Sequence, residues 1–196
     1  MLILASASPS RARILRNAGV RFEIVPANVD EGAAKAELAR ESAQPEKIAS
    51  ALAALKALEV SEARKDDWII GADQVLEFEG ALISKCSTMA GARALLRRLR
   101  GHRHRLINAT VLAYNAKLIW QDVDAVEIAL RDFSDAFLDD YLAAEGEGLL
   151  AGVGCYRFEG LGAQLVDGVT GDVFSVQGLP LLPLLRALRQ HGLIAT

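Results

Sequence analysis

Cysteine is nearly absent. Cys86 and Cys155 are the two in 196 residues, and neither CxxC nor framework spacing relates them. That excludes a disulfide-stapled scaffold and fits free thiols in a reducing cytoplasm. The three histidines, His102, His104 and His191, lack the spacing of a zinc site. No apolar run approaches the ~18 residues of a membrane span. The opening Met1-Leu2-Ile3-Leu4-Ala5 is too short, and too poor in basic residues, for a secretory leader. Excess charge of one sign is missing as well. Lys+Arg 22 against Asp+Glu 25 leaves a net charge of -3, no electrostatic reason to hold duplex DNA or anionic lipid. The expectation is a cytoplasmic protein without nucleic-acid or membrane partners.

What is present is an ordinary globular composition, 52% apolar and 24% charged. The length suits one compact domain with two lobes, or at most two small domains. There are no repeats and no disordered linker. The periodicity predicts a buried strand at 2–4, a helix at 11–19, a half-buried strand at 21–26 and a helix at 45–59. A hairpin of 68–78 with 81–83 follows, then a helix from Thr88 to 101 and long strands at 106–114 and 117–130. Ser134 is expected to cap a helix through 141. A glycine-rich flexible loop is expected at 146–162, a strand pair around 167–168 and 171–172, and a closing helix from 179.

Some stretches carry chemistry. Trp68-Ile69-Ile70-Gly71-Ala72-Asp73 is an apolar run broken by glycine and ended by an acid. This is how α/β enzymes present a carboxylate at a strand end, although a solvated Asp is the plainer outcome. After the first strand, Ala5-Ser6-Ala7-Ser8-Pro9-Ser10 leads into a helix with Ser8 as N-cap and Pro9 at its first position. Free N–H groups, the Ser6 and Ser8 hydroxyls and the Arg11 guanidinium make that loop an anion site or an ordinary capped helix. Asp30-Glu31 reads as a hard-cation site or, as is more common for two adjacent acids, as loop solvation or helix N-terminal charge.

In the 45–59 helix, Ile48, Leu52, Leu55 and Leu58 form the apolar stripe. Lys56 lies ~100° from the stripe's centre, at the boundary of core and water. The basic cluster from Arg97 to Arg105 complements the preceding helix's C-terminus. A nucleic-acid patch is the sharper alternative, weakened because no aromatics interleave the charges.

Taken together, LILASASPSR, VDE at 29–31, ALAALKA at 51–57, IIGADQV at 69–75, the Lys85 stretch, YRFEGLGAQLV and GDVFSVQGLPL resemble the Maf family of nucleoside triphosphate pyrophosphatases. The resemblance implies an α/β fold, a single two-lobed domain over 1–196 with a mixed, twisted sheet flanked by helices and a central nucleotide cleft. It implies hydrolysis of a nucleoside triphosphate to the monophosphate and pyrophosphate, including removal of non-canonical nucleotides, with Mg2+ or Mn2+. By motif, Ser6, Ser8, Arg11, Lys56 and Lys85 look like the phosphate cradle. Glu31 and Asp73 look like metal-holding acids, and Asp73 also like the proton acceptor. A homodimer is expected on resemblance alone. The alternative is a nucleotide-binding regulator of cell division and septum formation with weak or no turnover.

A triphosphate carries about four negative charges, so such a site needs several donors and a cation. Many members have a pair of arginines where this chain has Ser10-Arg11, and Pro is usual where Cys86 stands. Ser10, Gln74 and Glu159 occupy positions that look like base discriminators. Gln74 and Glu159 match the subgroup acting on 7-methyl-GTP, and Ser10 matches neither subgroup. A buried carboxylate at 159 would suit the donor edge of a methylated guanine and oppose pyrimidine carbonyls.

Overall fold

A computed structural model describes residues 1–40 and 44–195. In chain order the elements are β1 (Leu2–Leu4), α1 (Pro9–Asn17), β2 (Glu23–Ile24), α2 (Glu31–Arg40), α3 (Pro45–Ala63), β3 (Trp68–Phe78) and β4 (Ala81–Ile83). After them come α4 (Met89–Leu99), β5 (Arg103–Tyr114), β6 (Lys117–Leu130), α5 (Asp135–Glu145), β7 (Val166–Thr170), α6 (Val173–Val176) and α7 (Leu181–Gln190). The described strands form a seven-stranded sheet in the order β2-β1-β3-β5-β6-β7, with β4 paired to β3 off that path. β1 runs parallel to β2 and β3, whereas β3–β4 and β6–β7 are antiparallel, so the sheet is mixed. The fold is α/β, as expected.

The chain falls into two compact units. One comprises Met1–Gln74, Ile107–Asp124 and Gly178–Thr196; the other comprises Val75–Leu106 and Ala125–Gln177. In the first, β1 and β3 carry near-continuous apolar runs because parallel strands are buried on both faces. Ile3, Leu4, Ile69 and Ile70 are all fully buried, each worth about 1.5–3 kcal/mol of hydrophobic stabilisation. In the second, Leu76, Leu96, Leu99, Leu106, Ile128, Phe133 and Leu138 belong to one core cluster. The tight turns are local. Glu79 (φ 53) with Gly80 (φ 77), and Asn115 (φ 49) with Ala116 (φ 56), take the left-handed conformations that two-residue hairpins require.

Several expectations need correction. The strand expected over 68–78 is β3, and it places Asp73 mid-strand rather than at a strand end. The helix expected over 45–59 runs on to Ala63, and that ending at 141 runs on to Glu145. The half-buried strand expected over 21–26 shrinks to Glu23–Ile24. The periodicity predicts no helix after Asp30, yet Asp30-Glu31 as helix N-terminal charge allows one, and α2 forms there. Its sequence EGAAKAELAR lacks an apolar stripe, and helix-forming residues with the Asp30 carboxylate, which accepts from Ala33 N–H at 2.9 Å, account for it. Residues 146–162 are not simply a flexible loop. Gly146–Ala151 and Leu161–Leu165 form short 3-10 helices, and Leu149 and Val153 enter the core. The expected strand pair near 170 is one strand, β7, followed by α6, whose N-cap Asp172 accepts from Phe174 N–H.

The apolar face of α3 also differs. Leu55 is exposed and Leu58 half-buried, while Ile48, Ala49, Leu52, Ala53, Lys56, Ala57 and Val60 are buried. Alanines at i, i+4 and i+8 make a flat face, and β3 answers with Gly71. A methyl group there would lie 2.3 Å from the Ala53 carbonyl oxygen and 2.7 Å from the Ala57 methyl. Helix backbone and strand backbone therefore touch, and no side chain larger than hydrogen fits between them. Lys56 sits on this contact face, not at its edge.

Candidate active site

α1 begins as its sequence dictates. Ser8 is the N-cap, Pro9 occupies the first turn, and Ser8 Oγ accepts from Arg11 N–H. The helix turns the Arg11 side chain inward, where it is 8% exposed. Its Nε–H donates to the Gly178 carbonyl at 2.8 Å and its Nη1–H to Ser6 Oγ at 3.1 Å. Ser6 Oγ also accepts from Ser8 N–H at 3.3 Å. Burial lowers the Arg11 pKa from its usual value, while the charges of Asp73 and Glu31 push it back up. A guanidinium stays charged through either influence.

Lys56 is the hub of the cluster. The close approach of α3 to β3 sets its Nζ 2.7 Å from Asp73 Oδ1, and Glu31 Oε1 at the start of α2 lies 3.0 Å away. Lys56 is 7% and Asp73 5% exposed, while Glu31 is open to solvent. The second Asp73 oxygen, Oδ2, is buried without a hydrogen-bond partner. An orphaned carboxylate oxygen is costly in the interior, and a water hydrogen or a cation would satisfy it. Ala5, Ser6, Ala7, Pro26, Ala27, Glu31 and Lys56 line a pocket of about 90 Å³. That is room for a few waters or one phosphoryl group.

Two cations and two carboxylates make the cluster formally neutral. A triphosphate would leave it strongly anionic unless a further cation came with it. Asp73 Oδ2 and Glu31 are hard oxygen donors that fit a divalent ion of the Mg2+ or Mn2+ kind. Such ions take one or two carboxylates and fill their remaining positions with water and phosphate oxygens. Among the described residues there is no group of three or more His, Cys, Asp or Glu that could hold a metal ion.

The structure thus gathers Ser6, Ser8, Arg11, Glu31, Lys56 and Asp73, all in the first unit. Gln74, next to the acid, donates from Nε2 to Asn108 Oδ1 at 3.1 Å. Ser10 is half-buried on α1. Lys85 and Glu159 belong to the second unit and are both exposed. The carboxylate at 159, expected to be buried against the base, is instead open to solvent.

Sequence reasoning missed Gly178 and Asn108. Gly178 (φ 92) supplies the carbonyl that aims Arg11, and a methyl group there would lie 3.6 Å from Arg11 Nε and 3.7 Å from Gln74 Oε1. A glycine just before Leu-Pro was the available signal. Asn108 gave none, because one polar residue in an apolar strand does not announce what it faces.

The family model for Maf-like proteins matches residues 1–191. The chain belongs to the Maf family. It is 49% identical over 189 residues to a nucleoside triphosphate pyrophosphatase of Caulobacter vibrioides, covering 96% of this chain and 94% of the relative. It is 43% identical over 193 residues to a 7-methyl-GTP pyrophosphatase of Mesorhizobium japonicum, and 40% identical over 193 to one of Brucella abortus; each match covers 98% of this chain and 97% of the relative. Among the described residues of this Maf protein, no helix is long and apolar enough to cross a membrane.

Proposed function

We propose that this Maf protein is a nucleoside triphosphate pyrophosphatase, cleaving its substrate between the α and β phosphates to release the monophosphate and pyrophosphate. The observation that carries the reading is the buried Asp73, held through Oδ1 by Lys56 and left with Oδ2 unpartnered. The names of the relatives at 40–49% identity support the same class.

Hydrolysis needs a water in line with the α phosphorus, a group to take its proton, and donors on the departing pyrophosphate. Asp73 Oδ2 orients the water and accepts the proton. Lys56 keeps Oδ1 fixed, so the carboxylate presents its free oxygen in one direction. Arg11, aimed by Gly178 and Ser6, together with the Ser8 end of α1, binds phosphate oxygens. Asp73 and Glu31 would hold a divalent cation, whose chemistry there would be charge neutralisation of the triphosphate and polarisation of the anhydride. A homodimer completes the reading, supported by the family resemblance alone.

For the base, we assign a preference for 7-methyl-GTP over dTTP and UTP, resting on Gln74 and Glu159. Because Glu159 is exposed, a pyrimidine leaves no buried charge unpaired, and the expected discrimination is modest, less than about tenfold.

The test is pyrophosphate release from a panel of common and methylated triphosphates, with Mg2+, with Mn2+ and with a chelator. Release of pyrophosphate that the chelator abolishes is expected. Absence of turnover with every substrate and metal would leave a nucleotide-binding regulator as the better account. A pyrimidine-favouring kcat/KM would reverse the base preference alone.

A further inference from the structure

Successive residues of a strand point to opposite faces, so Gln74 leaves β3 on the side away from Asp73. Its carboxamide meets β5, where Nε2–H donates to Asn108 Oδ1 at 3.1 Å. Asn108 is fully buried, and so are the apolar Ile107, Ala109, Val111 and Leu112 around it. A desolvated amide in such a strand is costly unless its hydrogen bonds are made. Gly178 shows where the other end of the Gln74 carboxamide lies. A methyl group on Gly178 would be 3.7 Å from Gln74 Oε1, 3.6 Å from Arg11 Nε and 3.8 Å from Arg11 Nη2. Gln74 Oε1 and the Arg11 guanidinium therefore border the same glycine, and all four residues belong to the first unit. A carboxamide can turn over and exchange its oxygen for its NH2. Both neighbours select the same orientation here. Asn108 Oδ1 takes the N–H, and the positive guanidinium favours the oxygen on its own side.

We propose that Asn108 is a positioning residue for triphosphate binding, holding the Gln74 carboxamide with Oε1 on the Arg11 side as an acceptor for donor groups of the base. The assignment rests on the reading of Gln74 as a base contact given above. Asn108 lies in the interior and acts through Gln74, not by touching the substrate. Without an acceptor at 108 the amide turns over freely, and the fraction that presents oxygen to the base falls.

The experiment is a double-mutant cycle in the full chain: wild type, Asn108→Leu, Gln74→Leu and the double variant. Each is assayed with the triphosphate of the panel above that wild type cleaves fastest. Asn108→Leu should raise KM about fivefold while kcat stays within about twofold. Added to Gln74→Leu, the same change should raise KM no further. A KM rise of equal size in both backgrounds, an unchanged KM, or a fall in kcat alone would overturn the assignment. Should Asn108→Leu not fold, Asn108→Ser, too short to reach the Gln74 amide, takes its place in the cycle. Dissociation constants for the α,β-methylene analogue of 7-methyl-GTP, measured by calorimetry, repeat the cycle without turnover. A coupled cycle in binding with no pyrophosphate released from any substrate would sink the pyrophosphatase reading and keep Asn108. Pyrophosphate release with an additive cycle would do the reverse.

Discussion

The stretch from Arg97 to Arg105 and the cluster around Lys56 both concentrate charge, and they treat it in opposite ways. In the first, the guanidiniums lie at the surface and find acids: Arg97 and Arg100 with Asp135, Arg98 with Glu79, Arg103 with Glu127, Arg105 with Glu77. The Arg97, Arg98 and Arg103 pairs are exposed and each worth little, whereas those of Arg100 and Arg105 are half-buried at the rim. In the second, a few charges are buried, Lys56 serves two carboxylates, and one carboxylate oxygen is left over. The density of charge along the chain therefore points to the wrong place. What marks a site is charge taken out of water and incompletely satisfied, because only there does a bound group gain much by completing the set.

The largest expected effect sharpens that contrast. Asp73→Asn keeps the size of the side chain but removes the proton acceptor. It should lower kcat by about a thousandfold, roughly 4 kcal/mol of transition-state stabilisation, with the circular dichroism spectrum unchanged. A variant within a few-fold of wild type would remove Asp73 from the chemistry.

Next in size is a test of what positions the pair. Gly71→Ala forces a methyl group into the Ala53 carbonyl, and denaturant unfolding should show a loss of about 3 kcal/mol. Wild-type stability would mean that the contact between α3 and β3 is looser than described.

A pH experiment probes burial without the reaction. His104, on β5, is 2% exposed, its Nε2 is 2.7 Å from Tyr156 Oη, and its Nδ1 is buried without a partner. Burial depresses its pKa to about 4, against about 6.5 in the unfolded chain. Between those values the unfolded state binds the proton and the folded state does not. Stability from this group is therefore complete above about pH 6.5 and lost as pH falls towards 4. From pH 7 to pH 5 the loss should be about 2 kcal/mol, and His104→Gln should flatten that slope. An identical slope in the variant would assign the acid sensitivity elsewhere.

The smallest effect is expected from Arg98→Ala. It should change stability by no more than about 0.5 kcal/mol and leave kcat/KM where it was. A large loss of turnover would mean that the surface arginines share the work of the buried cluster.

Local chemistry was legible from residue types. The Ser8 cap with Pro9, the Thr88 and Ser134 caps and the hairpin turns at Glu79-Gly80 and Asn115-Ala116 each depend on neighbours within a few residues. So do the apolar runs of β1 and β3, and the presence of Arg11, Lys56 and Asp73 in stretches suited to anion chemistry could be read in the same way. Tertiary structure alone decided that Lys56 lies on the buried face of α3 rather than at its edge. A lysine is buried only if a carboxylate is delivered to it from elsewhere, and Asp73 stands 17 positions away on a different element. It also decided that Gly71 permits backbone contact rather than merely breaking an apolar run, that Gly178 aims Arg11 from 167 residues away, and that Glu159 is exposed. Each of these outcomes depends on the distance between groups far apart in the chain. Residue order constrains such distances only through the packing of the whole fold.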